Sequence, residues 1–337
     1  MGILKNYQTL FVFLIALLWI VVLLGGLEAQ QQKTKIGVIL PLTGAFARYG
    51  MRIQKTISEY SNDKVEFVFE DEGCDPKTAF TAYKKLTELN QVKYFLGPWC
   101  GSPQNAVAPQ IKVRNQLVML GSSASVAVYA SSGERMFSTQ HSIEDEAAFV
   151  AQQVAKTGAK KVVIVFRENQ FSRAHEASFR AHFNGEILRT FAYSSDDITE
   201  LQSIALQVKK LKPDVLFIPD AFPLMAGFVK ELNAIRVNNT RIYSVYSAQS
   251  DDVLKVLGSG GEGLIYSYPD IKDKEALDYF PLLAAKFLTG AIETCGEDVE
   301  CARKHLLSKN TFDKNGVLTD TLILKTIKNG AFVYLEN

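Results

Sequence analysis

The chain has 337 residues, of which 47% are hydrophobic and 22% charged, and its formal net charge is +1. That length allows two domains of ordinary size. The near-neutral balance, with both signs spread along the chain, excludes a broad electrostatic case for nucleic-acid binding.

The first thirty residues stand apart. Asn6 to Leu27 carries no charge, and Leu10 to Leu24 is apolar throughout. At ~1.5 Å per residue this uncharged stretch makes a helix of roughly 33 Å, long enough to cross a bilayer. Having no polar face, it does not read as an ordinary core helix. Residues 1–29 read as a signal peptide or as an N-terminal membrane anchor through residues 6–27, and both readings stand. Either one exports the protein. No cysteine lies here, so no lipid is attached at this end.

Strand and helix then alternate. Lys35–Pro41 is an apolar strand, Phe46–Asn62 has helical spacing, and Val65–Asp71 is a strand. The next helix opens with Asp75 as cap and Pro76 in the first position. Strand 93–97 leads into a helix with Ser102 as cap, Pro103 next, and Pro109 expected to kink it or fall in an early turn. Strands at 117–120 and 136–139 follow. The pattern repeats: helix 143–157, strand 160–166, a helix through Phe183, strand 186–193, helix 199–211, strand 214–220, helix 223–236, and strands at 241–246 and 263–269. Helices at 277–289 and through Leu307 come next. Two final strands meet at Asn329-Gly330, a hairpin signal.

Alternation of this kind builds parallel sheets with helices on both faces, an α/β fold. There are too many strands for one such sheet at this length. Two similar halves, about Lys33–Gln140 and His141–Tyr268, fit better, and with no flexible linker between them a hinge is expected.

Export makes disulfides the default for the four cysteines. Three pairings are possible; the local one, Cys74 with Cys100 and Cys295 with Cys301, is adopted. The competing zinc site lacks both a C-x-x-C pair and a histidine at ligand spacing. No P-loop, G-x-G-x-x-G or G-x-S-x-G motif occurs, so no cofactor and no catalytic set is expected. His175 and His182, seven apart on one helix, read as a solvated face. Glu70, Asp71, Glu72 and Asp75 read as an acidic strand-end loop rather than a cation site. Asn238-Asn239-Thr240 fits a glycosylation acceptor only in a eukaryotic secretory pathway. Ligands of open α/β folds bind beyond the carboxyl ends of strands, which nominates Tyr49, Trp99, Phe171, Asp220 and Tyr246.

The segments "KIGVILPLTGAFARYG", "DEGCDPKTAFTAYKKL", "YFLGPWCGSPQNAVAPQ" and "LVMLGSSASVAVY" together resemble the type I periplasmic solute-binding proteins, specifically the branched-chain amino-acid (Leu/Ile/Val) binding proteins of ABC transporters. The resemblance runs from Lys33 to the C-terminus. It implies two Rossmann-like lobes joined by a three-strand hinge and closing on a ligand like a trap: lobe 1 from residues 30–140 plus about 269–311, lobe 2 from 141–268 plus about 312–337. It implies that Cys74 bonds to Cys100. It implies that the loop with Ser102, and the loop with Ser123, Ala124 and Ser125, hold a ligand's carboxylate and amine. Ser125 falls where the family commonly has threonine, Gly101 where it has a ligand-contacting serine, and Phe171 where it often has tyrosine. The glutamate that pairs with a ligand ammonium is missing near Tyr246, which is followed by Ser247 and Gln249, with Asp251 slightly later. Asp220 then supplies the charge, or the ligand is not an α-amino acid. The function implied is capture of a small amino-acid-like, carboxylate or amide solute, without catalysis, by a monomer serving an ABC permease in the periplasm or on the outer face of the cytoplasmic membrane. A sensor using the same fold to signal to a partner is the alternative.

Overall fold

The computed structural model describes residues 33–60, 62–194, 198–221, 223–272, 274–308 and 311–335. The leader, whether signal peptide or anchor, lies outside them. Among the described residues no helix is long and apolar enough to cross a membrane.

Five parallel strands form the first sheet: β1 (Thr34–Leu40), β2 (Val65–Asp71), β3 (Tyr94–Leu96), β4 (Leu117–Leu120) and β5 (Met136–Ser138), in the order β2-β1-β3-β4-β5. In β1, Ile36, Val38 and Leu40 join one core and Ile39 the other, so both faces of the strand are buried. This is why it reads as a continuous apolar run rather than an alternating one. The second sheet holds β6 (Lys161–Arg167), β7 (Glu186–Tyr193), β8 (Val215–Phe217), β9 (Arg241–Ser244), β10 (Ile265–Pro269), β11 (Leu322–Lys328) and β12 (Ala331–Tyr334). Its order is β12-β11-β10-β9-β8-β6-β7. From β7 to β10 this repeats the order of the first sheet; β11 and β12 then add an antiparallel edge. The α/β architecture with two helix-flanked parallel sheets is therefore the one the alternation dictates.

The chain crosses between lobes after β5, after β10 and again before β11. The crossings hold one another. Ser138 and Leu318 pair through Leu318 N to Ser138 O at 2.8 Å, and Asp270 N donates to Thr321 O at 2.8 Å. The helices Ala276–Cys295 and Val299–Ser308 return to the first sheet, where Ala284, Leu288, Val299 and Ala302 pack on Ile36 and Val38. Gly121 permits this return: a Cβ there would stand 2.6 Å from the Pro281 Cα.

Several local expectations shift. Cys100, not Ser102, caps the helix Gly101–Val113, so Ser102 sits in its first turn, and Pro109 lies inside the helix without ending it. The helix expected over 277–289 runs Ala276–Cys295. Short helices at Val126–Ser131 and Asp251–Leu257 were not signalled by periodicity over so few residues. His175 is fully buried and only His182 faces water, because the helix Gln170–His182 turns that face onto the helix Ile143–Lys156. Asp71 hydrogen-bonds the Leu42 and Gly73 N–H groups at 2.7 and 2.9 Å, which accounts for this acid as loop architecture.

Candidate functional site

Both sheets place a topological switch point at the carboxyl ends of their strands, between β1 and β3 in one lobe and between β6 and β8 in the other. Open α/β sheets offer crevices there. A cavity of about 450 Å³ lies between the two. Tyr49 follows β1 and Trp99 follows β3; Phe171 follows β6, Asp220 follows β8 and Tyr246 follows β9. All five line it, as do Ser102 and Ser123.

Lobe 1 contributes a cluster of rings. Tyr49 and Trp99 are stacked at 6.3 Å and 18°, with Phe46 tilted against Trp99 at 6.0 Å. Gly97, at φ +87°, sets the path of the loop behind them, where a Cβ would lie 2.3 Å from the Ile39 carbonyl oxygen. Lobe 2 answers with Phe171 and Tyr246, edge to face at 6.3 Å. Two buried polar atoms on lobe 1, Ser123 Oγ and Gln140 Oε1, have no hydrogen-bond partner, and both residues line the cavity. The Tyr246 phenol, pushed up by burial, lies close enough to the Ser123 hydroxyl to be drawn back toward ionisation, but the geometry does not close a hydrogen bond.

The two helix starts that the sequence nominated differ. The helix Gly101–Val113 begins without a side-chain cap beside the cavity. Its first N–H groups and dipole favour an anionic or carbonyl oxygen there. At the second, Glu144 Oε2 accepts the Val126 N–H at 3.0 Å. An internal carboxylate thus satisfies that helix start. Ala124 and Ser125 accordingly lie buried, 0% and 2% exposed, off the cavity wall.

Asp220 faces the cavity with its carboxylate already engaged, accepting from the Tyr193 hydroxyl and from the Ala221 N–H at 2.8 Å. Arg167 supplies the basic side chain of the lining; Glu275 stands exposed at the rim, accepting from Gln249 at 3.3 Å. Sequence reasoning missed Gln140, Arg167, Asn169, Tyr268 and Glu275. Asn169 alone carried a signal, as cap of the helix that begins at Gln170.

The loops behind the rings rest on buried acids. Glu72, 0% exposed, accepts the Trp99 and Cys100 N–H groups at 3.0 and 2.9 Å. Burial pushes its carboxyl up to about 8 against those two hydrogen bonds. The Cys74–Cys100 disulfide, Cα–Cα 5.3 Å, closes the same loop, and Cys295 pairs with Cys301. In lobe 2, Glu146 accepts the Tyr246 N–H at 2.8 Å.

The lobes meet at the mouth. Arg48 pairs with Asp252, the Tyr49 hydroxyl lies 3.2 Å from Ser250 Oγ, and Gly101 sits against Phe171. Among the described lining residues no nucleophile is paired with a base. The arrangement encloses a space between ring walls, with unpaired polar atoms on one side.

A family model described as periplasmic binding protein matches residues 33–291. Among curated proteins, the Leu/Ile/Val-binding protein homolog 6 of Brucella melitensis is 22% identical over 261 residues, covering 73% of this chain and 66% of that protein. The chain thus spans just under two thirds of the length of that relative. Among solved structures, a leucine-binding protein from Thermotoga maritima superposes with a TM-score of 0.79 at 21% identity, covering 90% of this chain and 98% of that one. A solute-binding protein of an ABC transporter from R. palustris, in complex with benzoate, gives 0.80 at 17%, covering 90% and 95%. A second from R. palustris, with 4-hydroxybenzoate, gives 0.79 at 20%, covering 91% and 96%. At these identities the structures attest the fold.

Proposed function

We propose, because this chain belongs to the periplasmic binding protein family, that it captures a small organic solute between its lobes outside the cytoplasm and presents it to the permease of an ABC transporter. Members of the family bind solutes and do not transform them. The observation that carries the reading is the cavity itself: both lobes line it, and its buried Ser123 and Gln140 polar atoms lack partners within the protein. Buried polar groups left unpaired cost free energy that a bound solute recovers.

The solute we favour has a carboxylate or amide head and a flat or hydrocarbon body. An oxygen of the head accepts from the Ser123 hydroxyl and from the uncapped start of the helix Gly101–Val113, and an N–H of an amide head donates to Gln140 Oε1. The body lies between Tyr49 and Trp99 on one side and Phe171 and Tyr246 on the other. The Tyr193 hydroxyl and the Ala221 N–H engage Asp220 as neutral donors and supply no countercharge, so this acid does not weigh against a solute that carries an N–H head. The ring walls rank aromatic carboxylates and amides ahead of aliphatic amino acids. Because the ligand contacts both lobes only when they are together, it favours closure by its differential affinity.

A thermal-shift screen of aromatic carboxylates, their amides and aliphatic amino acids on the chain from Gln30 tests this. A solute at 100 times its Kd adds ~2.7 kcal/mol to stability. Shifts with benzoate or benzamide and their loss in Phe171→Ala are expected. Shifts confined to leucine, isoleucine and valine would remove the aromatic assignment, and none at all would remove the solute-binding reading.

A further inference from the structure

We propose that Glu146 is a positioning residue of the solute cavity, a single buried carboxylate that ties the lobe 2 wall to two of the segments joining the lobes. The inference rests on the cavity being the solute site; Glu146 itself does not line it.

The connections run through both oxygens. Oε1 accepts the Tyr246 N–H at 2.8 Å and the Ser267 hydroxyl, on β10 just before its crossing, at 2.6 Å. Oε2 lies 2.9 Å from His175 Nε2 and 3.5 Å from His141 Nε2. His175 Nδ1 in turn donates to the Phe171 carbonyl oxygen at 2.9 Å, and its ring meets the Phe171 ring edge-on at 4.4 Å. The two lobe 2 rings of the cavity, Tyr246 and Phe171, are thus held through one side chain. The same side chain meets the hinge at His141, in the crossing after β5. His141 Nδ1 stands 3.1 Å from Asp320 Oδ2, in the crossing before β11. Glu146 and His175 are 0% exposed and His141 3%.

Burying such a cluster is weak evidence for stability, since a well-packed apolar core does as well or better. His141 Nε2 and Asp320 Oδ1 make no hydrogen bond, so the link to the hinge at His141 is electrostatic at 3.5 Å, while the remaining bonds of the network fix geometry. Here the network fixes the cavity wall and the joining segments to one another, so that a rotation at the crossings is felt at the rings.

The test uses the purified exported protein and four variants. Glu146→Gln keeps an acceptor for Tyr246 and turns an N–H toward the two imidazoles. Asp320→Ala removes the hinge limb without touching the wall, Asp320→Asn restores an acceptor there, and His182→Gln is an exposed control. The probes are benzoate, benzamide and leucine. Calorimetry gives Kd, Trp99 fluorescence in stopped flow gives the release rate, and circular dichroism gives Tm. Glu146→Gln and Asp320→Ala are expected to bind about tenfold more weakly through faster release. Asp320→Asn should recover part of the loss, and His182→Gln should match the parent. Lower Tm with parental Kd and release rate in the folded variants would reduce Glu146 to a packing residue and overturn the inference, as would no change in any readout. Should the parent bind none of the probes, the solute reading fails by itself. Amide hydrogen exchange then decides the network: Asp320→Ala should speed exchange at Tyr246 about tenfold, and unchanged exchange there overturns it. If Glu146→Gln does not fold, Asp320→Ala carries the test.

Discussion

Glu72 and Glu146 do the same local job in opposite lobes. Each is a fully buried carboxylate that accepts the backbone N–H of an aromatic residue on the cavity wall, Trp99 in one case and Tyr246 in the other. Their surroundings differ completely. Burial drives Glu72 up to about 8, with only N–H donors to oppose it and Asp71 nearby to raise it further. Burial acts on Glu146 as well, but His141 and His175 overcome it and hold the carboxyl well below the usual range. His141 itself is raised to about 10: burial would lower it, and the Asp320 and Glu146 carboxylates prevail. A buried acid at neutral pH thus meets one of two fates, set by whether a cation is built beside it.

The first way to break this comparison is a pH series of urea denaturation. An acid whose folded pKa is raised binds more protons in the native state than in the unfolded one, so stability falls as pH rises from about 4.5 through about 8. The loss from Glu72 should be complete above that window and amount to about 5 kcal/mol at ~1.4 kcal/mol per unit. Glu72→Gln should flatten this slope; an unchanged slope would mean that Glu72 is not its source. Second, Glu146→Ala leaves two imidazoles facing an empty site and should cost roughly 3–5 kcal/mol at pH 7. A cost below about 1 kcal/mol would show that the histidines do not depend on it. Third, Cys74→Ser with Cys100→Ser opens a 26-residue loop and should cost about 3.5 kcal/mol, against about 2 for the six-residue Cys295–Cys301 loop, both read as shifts in Tm. The reverse order would mean that strain, not loop length, governs these bridges. The smallest effect belongs to Arg52→Ala: its pairing with Asp278 is exposed and should contribute only about 0.5 kcal/mol in a denaturant titration. A larger value would point to a role in holding the helix Ala276–Cys295.

The cavity wall was more legible in the sequence than its supports. Tyr49, Trp99, Phe171, Asp220 and Tyr246 each follow a strand, and strand ends converge in this architecture whatever the detailed packing. Ser102 and Ser123 came from the resemblance and also lie on the wall. Ala124 and Ser125 do not, because Glu144 reaches across to the Val126 N–H, a contact no local pattern encodes. His175 was misread for a related reason. Its helix has a polar and an apolar face, but the buried face also carries the partner of Glu146, 29 residues earlier in sequence. Glu72 and Glu146 look like ordinary surface acids in the sequence. Their burial depends on contacts 28 and 100 residues away.

The return of the helices Ala276–Cys295 and Val299–Ser308 to the first sheet bears on how the protein is made. Synthesis delivers the amino-terminal end first. The apolar face bearing Ile36, Val38 and Leu40 is met early by Ile53 and Ile57, but its cover is completed only when Ala284 and Leu288 emerge, roughly 250 residues later. During that interval the early half is a natural client for holding chaperones. A chain ended just before Ala276 should bind a dye such as ANS strongly and lack fixed tertiary packing in its first lobe.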